Sequence, residues 1–251
     1  MSAAEDFYET LAPDYDSMTR FRPRLPGEEK TLRRWRERYP FDSALDAACG
    51  TGLHAVALAR MNVDVTAADP SAAMLEQARQ HAREEGVAPE FVKASFSELP
   101  ARLANRFQAV LVLGNSLPHV LTPDDLTASL AGLAGVLHAR GTLIVQLLNY
   151  EQILASRDRI VGINRDQEKY FVRFYDFLEE LLRFNVLVIA TQGAKISHQL
   201  TSTLLRPYRL SELAPAFEAA GLRIVDVFGD MSFSAFDGAS SPNLVLAAAR
   251  R

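Results

Sequence analysis

Short apolar runs alternate with helical patterns along the first 150 residues of the chain. The alternation predicts strands at residues 44–49, 63–68, 91–94, 107–113 and 141–148, and helices at residues 53–61, 72–85 and 123–139. Strands that alternate with helices are typical of a parallel sheet with helices on both faces. The predicted fold class is therefore α/β, with a doubly wound sheet.

The alternation stops after residue 149. Strands without intervening helices follow at residues 169–177, 182–190 and 198–205, and we expect them to pair as antiparallel hairpins. A helix at residues 210–220 and strands at 222–228 and 244–248 then close the chain. We therefore predict a helical N-terminal segment at residues 1–40, a sheet domain at 41–159 and 207–251, and inserted antiparallel strands at 160–206.

Composition and charge narrow the expected partners. The 251 residues include 27 basic and 31 acidic side chains, so the broad positive field that drives nucleic-acid binding is missing. No apolar run is long enough to span a bilayer, and the acidic start MSAAEDFYET does not resemble a signal peptide. With Cys49 as the single cysteine, we expect a cytoplasmic protein without nucleic-acid or membrane partners, and a homo-oligomer is left open.

Two glycines lie where the first strand turns into a helix. In Asp46-Ala-Ala-Cys-Gly50-Thr51-Gly52 they allow a ligand to approach the backbone and the helix N-terminus closely. Dinucleotide-binding proteins share such turns, so an NAD-dependent oxidoreductase is an alternative. Asp46 favours a cationic ligand, because a carboxylate repels a pyrophosphate. Asp69 ends the second strand, where it can accept hydrogen bonds from ribose hydroxyls in either class.

The segments DAACGTG, ADPSAAMLEQA and LVLGNSLPHV together resemble the class I S-adenosylmethionine-dependent methyltransferases. The loop LGNSLPH, the pair Asn149-Tyr150, the inserted strands and the segment YETLAPDYD are similar, more narrowly, to the glycine N-methyltransferase branch. The resemblance implies a Rossmann-like methyltransferase sheet and methyl transfer from S-adenosyl-L-methionine to a nitrogen or oxygen of a small-molecule acceptor. It also implies that the N-terminal segment covers the active site and that the insertion caps it.

The same resemblance implies the residues of the cofactor site. They are Tyr15, Asp46, Ala48, Gly50, Thr51, Gly52, Asp69, Pro70, Met74, Ser95, Phe96, Gly114, Asn115 and Ser116. Met74 fits a place in the core equally well. Ser95 departs from the family, which usually carries an acidic residue there, and Ala139-Arg140-Gly141 replaces the usual Pro-Gly-Gly.

Methyl transfer from a sulfonium is an in-line displacement, so catalysis depends on alignment and needs no covalent nucleophile. The resemblance places Asn115 beside the reacting group, and His119 is the candidate general base because a histidine pKa lies near neutrality. Tyr8 is the third candidate, as a hydrogen-bond donor from the N-terminal segment. Each candidate also has a structural alternative. Asn115 can simply form a turn, His119 can make a hydrogen bond within the loop, and Tyr8 can pack as part of an amphipathic helix. The histidines, Cys49 and the carboxylates show no metal-ligand spacing, so no metal is predicted.

The acceptor contacts are predicted at Leu148, Asn149, Tyr150 and Tyr175. The aromatics of the insertion, Phe171, Phe174, Tyr175 and Phe184, are candidates for an aromatic cap, and half of them should face the insertion's own core. We therefore expect the choice of acceptor to lie in the insertion. A protein that binds S-adenosylmethionine without catalysis is a third hypothesis beside the methyltransferase and the oxidoreductase.

Leu148 generates a prediction about the acceptor. In glycine N-methyltransferases, an arginine directly before the Asn-Tyr pair clamps the substrate carboxylate, and a leucine there leaves that charge unpaired. We predict a less charged, apolar or heterocyclic acceptor, and no turnover of glycine, sarcosine or dimethylglycine at ordinary enzymatic rates. An assay with S-adenosylmethionine and millimolar acceptor measures this directly. The alternative is a substitute clamp from the insertion, formed by Arg159, Arg165 or Arg173.

Overall fold

The computed structural model of the protein describes residues 3–192 and 195–251. Residues 1 and 2 of the predicted N-terminal segment, and residues 193 and 194 of the predicted insertion, lie outside the described residues. Two helices, α1 (Ala3–Thr19) and α2 (Phe21–Arg38), precede the first strand. In the described part of the chain, no helix is both long enough and apolar enough to cross a membrane.

Alternating strands and helices follow these two helices. In chain order they are β1 (Ser43–Ala47), α3 (Leu53–Arg60), β2 (Asp64–Asp69), α4 (Ala72–Glu84), β3 (Glu90–Lys93), α5 (Leu99–Arg102), β4 (Phe107–Val112), α6 (Pro123–Val136), β5 (Leu137–Leu148) and α7 (Tyr150–Ser156). The inserted strands are β6 (Ile160–Asp166), β7 (Lys169–Phe177), β8 (Leu182–Gln192) and β9 (Lys195–Leu205). The chain closes with α8 (Leu210–Ala219), β10 (Leu222–Phe228) and β11 (Asn243–Arg250).

Within the described residues, seven strands form one sheet in the order β10-β11-β5-β4-β1-β2-β3. Strands β1 to β5 are parallel, and β11 is antiparallel to both of its neighbours. The chain moves from β1 to β2 and β3 before it crosses to β4 on the other side of β1. This reversal opens a crevice at the carboxyl ends of β1 and β4, where open α/β sheets bind ligands. The predicted fold class is confirmed.

The main sheet is buried on both faces. Successive residues of β4 alternate between them: Val110 packs with α5, α6 and α8, whereas Leu111 packs with α2, α3 and α4. Each helix presents apolar residues to its own face of the sheet. The two apolar layers hold the strand ends rigidly, so the loops at the carboxyl edge have fixed starting points.

The structure differs from the sequence predictions at one strand boundary and in two additional elements, besides shifts of a few residues at other ends. β5 begins at Leu137 rather than residue 141, because Leu137 pairs with Phe107 ahead of an irregularity in the ladder. The insertion contains β6 in addition to the predicted strands, and β6 is an edge strand with little apolar alternation to reveal it. The helix α7 was not predicted, and Asn149 caps it by accepting from the backbone N–H groups of Glu151 and Gln152.

The insertion forms a second sheet in the order β6-β7-β8-β9, with antiparallel pairing throughout. One face of this sheet packs against α1, in a cluster of buried apolar side chains that comprises Phe7, Leu11, Met18, Phe171, Val186 and Val188. The same helix contacts α4 of the main domain. Helix α1 therefore bridges the main sheet and the insertion.

Gly52 shows how tightly the turn after β1 packs. Its φ is +87°, and an added Cβ would lie 2.9 Å from the Cβ of Ala78 in α4 and 3.2 Å from its Cα. We predict that Gly52→Ala lowers the free energy of unfolding by about 2–4 kcal/mol, because left-handed strain and a clash with helix backbone add together. Urea denaturation measures the loss.

The matched control is Gly86→Ala. Gly86 has a φ of +67°, but an added Cβ there meets nothing within 4 Å. Only the backbone strain applies, at about 1–2 kcal/mol. Equal losses in the two variants would contradict the packing of Gly52 against α4.

Candidate active site

Among the described residues, three adjoining cavities occupy the crevice, and His119 lines all of them. The outer cavity, of about 670 Å³, is lined by Pro70, Ser95 and Phe96 among others. The turn cavity, of about 90 Å³, lies at the glycine turn between Gly50 and Gly114. The insertion cavity, of about 370 Å³, extends from Gly114 to β7 and β8.

The glycine turn and the end of β2 are joined through Asp69. The backbone N–H of Gly50 donates to Asp69 Oδ2 at 2.8 Å, and the N–H of Ser71 donates to Oδ1 at 2.9 Å. Burial raises the pKa of Asp69 to about 6, although both backbone hydrogen bonds favour the charged form. Gly50 has a φ of +54°, which allows its N–H to reach the carboxylate. Asp69, Gly50 and Thr51 therefore form one wall of the turn cavity.

Asp46 lies behind the glycine turn rather than in a cavity wall. Its side chain is 1% exposed, and its Oδ2 has no hydrogen-bond partner among the described residues. Burial raises the pKa of Asp46. The sequence predicted a direct contact between Asp46 and the ligand. In the structure Asp46 can act on a ligand at the glycine turn only through its charge, from behind the turn. Gly52 also lies outside the cavity walls, because its backbone packs against α4.

The outer cavity lies beyond the end of β3. Its walls include four residues of the predicted cofactor site, Ala48, Pro70, Ser95 and Phe96. The Ser95 hydroxyl and backbone N–H both donate to Glu98 Oε2, at 2.7 and 2.9 Å. These two hydrogen bonds close the turn from Ser95 to Glu98, which forms part of the wall of the outer cavity. Met74, by contrast, is fully buried in α4 and takes the alternative place in the core.

Helix α1 covers the glycine turn. The Thr51 hydroxyl donates to Asp16 Oδ1 at 2.8 Å, and His81 Nε2 lies 3.0 Å from Asp16 Oδ2. His81 Nδ1 lies 2.8 Å from the Thr51 carbonyl oxygen. Burial opposes a charge on His81, but the hydrogen bonds to Asp16 and to the Thr51 carbonyl, together with the nearby acidic charges, outweigh it and raise the pKa of the imidazole. Tyr15 lies over Gly50 and lines the turn and insertion cavities.

The loop after β4 is fixed to the end of β5 by Asn115. Its Oδ1 accepts from the backbone N–H of Leu148 at 3.0 Å, and its Nδ2 donates to the Tyr150 hydroxyl at 2.9 Å. Asn115 has a φ of +66° and follows Gly114 at +71°, a conformation that turns the loop sharply into the crevice. Asn115 lines the insertion cavity, and Ser116 lines the turn cavity.

Tyr8 and His119 meet across the crevice, with 2.9 Å between the Tyr8 hydroxyl and His119 Nε2. Burial raises the pKa of Tyr8 well above its usual value and lowers the pKa of His119 to about 4. Both side chains are therefore neutral at pH 7. His119 Nδ1 is buried and has no hydrogen-bond partner among the described residues.

The predicted acceptor residues separate into two groups. Leu148 and Tyr175 line the insertion cavity, with Phe184 beside them. Asn149 does not, because its amide donates to the carbonyl oxygens of Gly238 and Ser241 and its side chain caps α7. Tyr150 is 1% exposed and reaches the site only through Asn115. The prediction of direct acceptor contacts is corrected for these two residues.

The other aromatics of the insertion also divide. Phe171 is fully buried against α1, whereas Phe174 pairs with Ile160 and Asn185 on the opposite side of the sheet. Neither is among the described residues that line the insertion cavity, and Phe171 packs between α1 and the insertion rather than in a core of the insertion alone.

The sequence did not predict two residues that shape the site, Gln146 and Glu9. Gln146 accepts from the backbone N–H of Gly114 at 2.8 Å, and Glu9 accepts from the Ser71 hydroxyl at 2.9 Å. Gln146 is a polar residue within an apolar strand, which is a detectable irregularity. Glu9 has no such signal, because a polar residue on a surface helix is ordinary. In the described part of the chain, no three metal-ligating side chains are grouped to hold a metal ion.

Comparison with known proteins identifies the class of domain. Residues 44–141 match a family model described as a methyltransferase domain. The glycine/sarcosine N-methyltransferase of Halorhodospira halochloris is 37% identical over 110 residues, which are 44% of this chain and 41% of that enzyme. The matched part is thus less than half the length of this relative.

Solved structures are similar over nearly the whole chain. An S-adenosylmethionine-dependent methyltransferase from Clostridium acetobutylicum has a TM-score of 0.82 at 18% identity, covering 97% of this chain and 98% of that one. The CcbJ methyltransferase from Streptomyces caelestis has a TM-score of 0.75 at 25% identity and covers 89% of each chain. The predicted resemblance to class I methyltransferases of the glycine N-methyltransferase branch is confirmed.

The raised pKa of Asp69 predicts a pH-dependent stability. A carboxyl whose folded pKa is about 6, above its unfolded value, stabilises the fold at low pH, and that contribution is lost as the pH rises through 6. We expect wild type to lose about 1.5 kcal/mol relative to Asp69→Asn between pH 5 and pH 8. Urea denaturation of both proteins at the two pH values measures the difference, and a constant difference would contradict the raised pKa.

Proposed function

We propose that this chain is an S-adenosylmethionine-dependent methyltransferase that transfers a methyl group to a nitrogen of a small-molecule acceptor. The observation that carries the proposal is the Asp69 carboxylate, which two backbone N–H groups hold at the end of β2 in the wall of the turn cavity. A carboxylate in this position suits the two hydroxyls of a ribose. The nitrogen is favoured over oxygen because the similar enzyme of Halorhodospira halochloris is named an N-methyltransferase.

The walls of the crevice fit S-adenosylmethionine. Asp69 would accept from the ribose, and the outer cavity beside Pro70 and Phe96 would take the adenine. The amino-acid end would lie at Gly50 and Thr51, where the buried Asp46 behind the turn favours a cationic amino group. The unpartnered Oδ2 of Asp46 supports a positively charged ligand nearby.

When bound, S-adenosylmethionine supplies an electrophilic methyl group on a sulfonium. Asn115 positions the loop through Leu148 and Tyr150, so we assign it an aligning role rather than a direct one. Tyr8 keeps its proton, and with the Nε2–H tautomer of His119 as donor to the hydroxyl oxygen, that proton can be donated into the crevice. With a pKa of about 4, His119 is a weak base, and its proposed role is to orient Tyr8 without adding positive charge.

Two alternatives receive less support. In an NAD-dependent oxidoreductase, a pyrophosphate would lie at the glycine turn, where the buried Asp46 behind the turn would repel it. A binding protein without catalysis would not need an acceptor site, yet the insertion cavity of about 370 Å³ adjoins the turn cavity at Gly114 and His119. A catalytic methyltransferase accounts for both cavities.

The proposal also includes a small-molecule acceptor and a cytoplasmic location. The net charge of −4 supports a small-molecule acceptor rather than nucleic acid. A single cysteine, which is buried, fits a cytoplasmic location because cytosolic proteins seldom depend on disulfides.

Calorimetry with S-adenosylmethionine tests the proposed function. We expect wild type to bind it and Asp69→Ala to lose about ten- to hundredfold in affinity, the scale of hydrogen bonds to a charged group. Asp64→Ala is the matched control, because Asp64 begins the same strand and is exposed at its opposite end. Release of S-adenosylhomocysteine with a panel of amines then measures catalysis.

Three results would contradict the proposal. Binding of NAD in place of S-adenosylmethionine would favour the oxidoreductase. Unchanged affinity in a folded Asp69→Ala variant would remove Asp69 from the site. Cofactor binding without turnover of any amine would favour the non-catalytic alternative.

A further inference from the structure

The insertion cavity contains a cation without a counter-charge. Arg173 of β7 lines the cavity, and its Nε is buried without a hydrogen-bond partner among the described residues. An arginine side chain in a protein remains charged and presents donors only. A buried donor without a partner is costly, so a group that is absent from the protein itself must satisfy it.

The other charged side chains near the cavity do not supply this partner. The described residues that line the cavity include no aspartate or glutamate. Arg24, the other cation in the wall, is paired with Glu28 at 2.8 Å. The nearby acids of α1 are also paired, since Asp14 contacts Lys169 and Asp16 contacts His81.

Neighbouring tyrosines do not neutralise Arg173 either. Burial raises the pKa of Tyr175 to about 12, against the opposing effect of the Arg173 charge. Burial likewise raises the pKa of Tyr15 to about 12. Both hydroxyls stay protonated at neutral pH, so neither becomes a phenolate counter-ion.

The location of Arg173 follows from the register of the insertion. Arg173 pairs with Gly162 of β6 and Val186 of β8, between Phe171 and Tyr175 on the same face of β7. An added Cβ at Gly162 would lie 2.8 Å from Arg173 Nη2, so the glycine leaves room for the guanidinium. The other two candidate clamps are engaged elsewhere: Arg159 contacts Asp176, and Arg165 Nε donates to the Gln167 carbonyl oxygen.

We propose that Arg173 binds an anionic group of the acceptor, a carboxylate or a phosphate, and that this acceptor has an apolar body larger than glycine. The apolar walls formed by Leu11, Leu148 and Phe184, together with a cavity volume of about 370 Å³, set the size and character of that body. The proposal rests on the proposed methyltransferase function. It replaces the expectation of a less charged acceptor and retains the expectation that glycine is a poor one.

Calorimetric titration with three probes tests the clamp. Phenylacetate carries a carboxylate, phenyl phosphate carries a phosphate, and phenylacetamide is a neutral analogue of the carboxylate. The protein is first saturated with S-adenosylhomocysteine, whose neutral sulfur does not attract anions. We expect at least one anion to bind about tenfold or more tightly than phenylacetamide, since a charge-assisted hydrogen bond contributes this much. The anion that binds more tightly shows whether the acceptor's anionic group is a carboxylate or a phosphate.

Variants assign the preference to one side chain. Arg173→Gln should remove the preference for the anion and leave the affinity for S-adenosylhomocysteine unchanged. Arg173→Lys should retain part of it, because lysine keeps the charge without the two-pronged geometry. Arg165→Gln, the matched control on the neighbouring strand, should retain all of it.

The two proposals fail in different ways. If S-adenosylhomocysteine does not bind, the proposed function fails, and the probes are then titrated against the protein alone. Affinities for anion and amide within threefold of each other, no probe binding at millimolar concentration, or a preference that survives in Arg173→Gln would each overturn the clamp.

Discussion

The docking of α1 across the crevice is the constraint on which the rest of the site depends. Helix α1 is not part of either sheet, so side chains alone determine its position. Phe7 and Leu11 bury an apolar stripe against the insertion, while Asp16 accepts from Thr51 of the glycine turn. Because one rigid helix makes both contacts, the turn and the insertion cannot move independently while α1 is bound.

Burial under α1 also determines which groups in the crevice carry charge. Tyr8 keeps its proton and His119 remains neutral, because desolvation opposes the charged form of each. Among the described residues that line the turn and insertion cavities, charge without an ion-pair partner is left at two places: the Asp69 carboxylate in the turn cavity and the Arg173 guanidinium in the insertion cavity. In a desolvated site, such charges act more strongly than in water. Their opposite signs give a ligand in each cavity a defined orientation toward the space between them.

The sequence predicted the local parts of this arrangement and missed the parts that depend on distant contacts. Gly50 and Asp69 were predictable because a strand-to-helix turn and the end of the next strand lie side by side in any such sheet. Asn149 was assigned to the acceptor, but its amide is committed to a loop about 90 residues further along the chain. No local pattern reveals that partner. Gly52 was assigned to the cofactor, but its backbone packs against Ala78. That contact depends on how α4 packs, which the sequence around Gly52 does not reveal.

Arg173 shows most clearly where sequence information ends. Three arginines in or next to the insertion were equivalent candidates, and only the strand register and the contacts of Arg159 and Arg165 distinguish them. In a strand, successive side chains point to opposite faces, so a slip of one residue would turn Arg173 away from the cavity and Val172 or Phe174 into it. The register is held by apolar residues such as Phe171 and Val186, which pack against α1. The packing that docks α1 over the glycine turn therefore also directs the guanidinium into the insertion cavity. Substitutions on one face of β7 and β8 would consequently change this cavity, and under the proposed function the acceptor preference, while the glycine turn and Asp69 remain as they are.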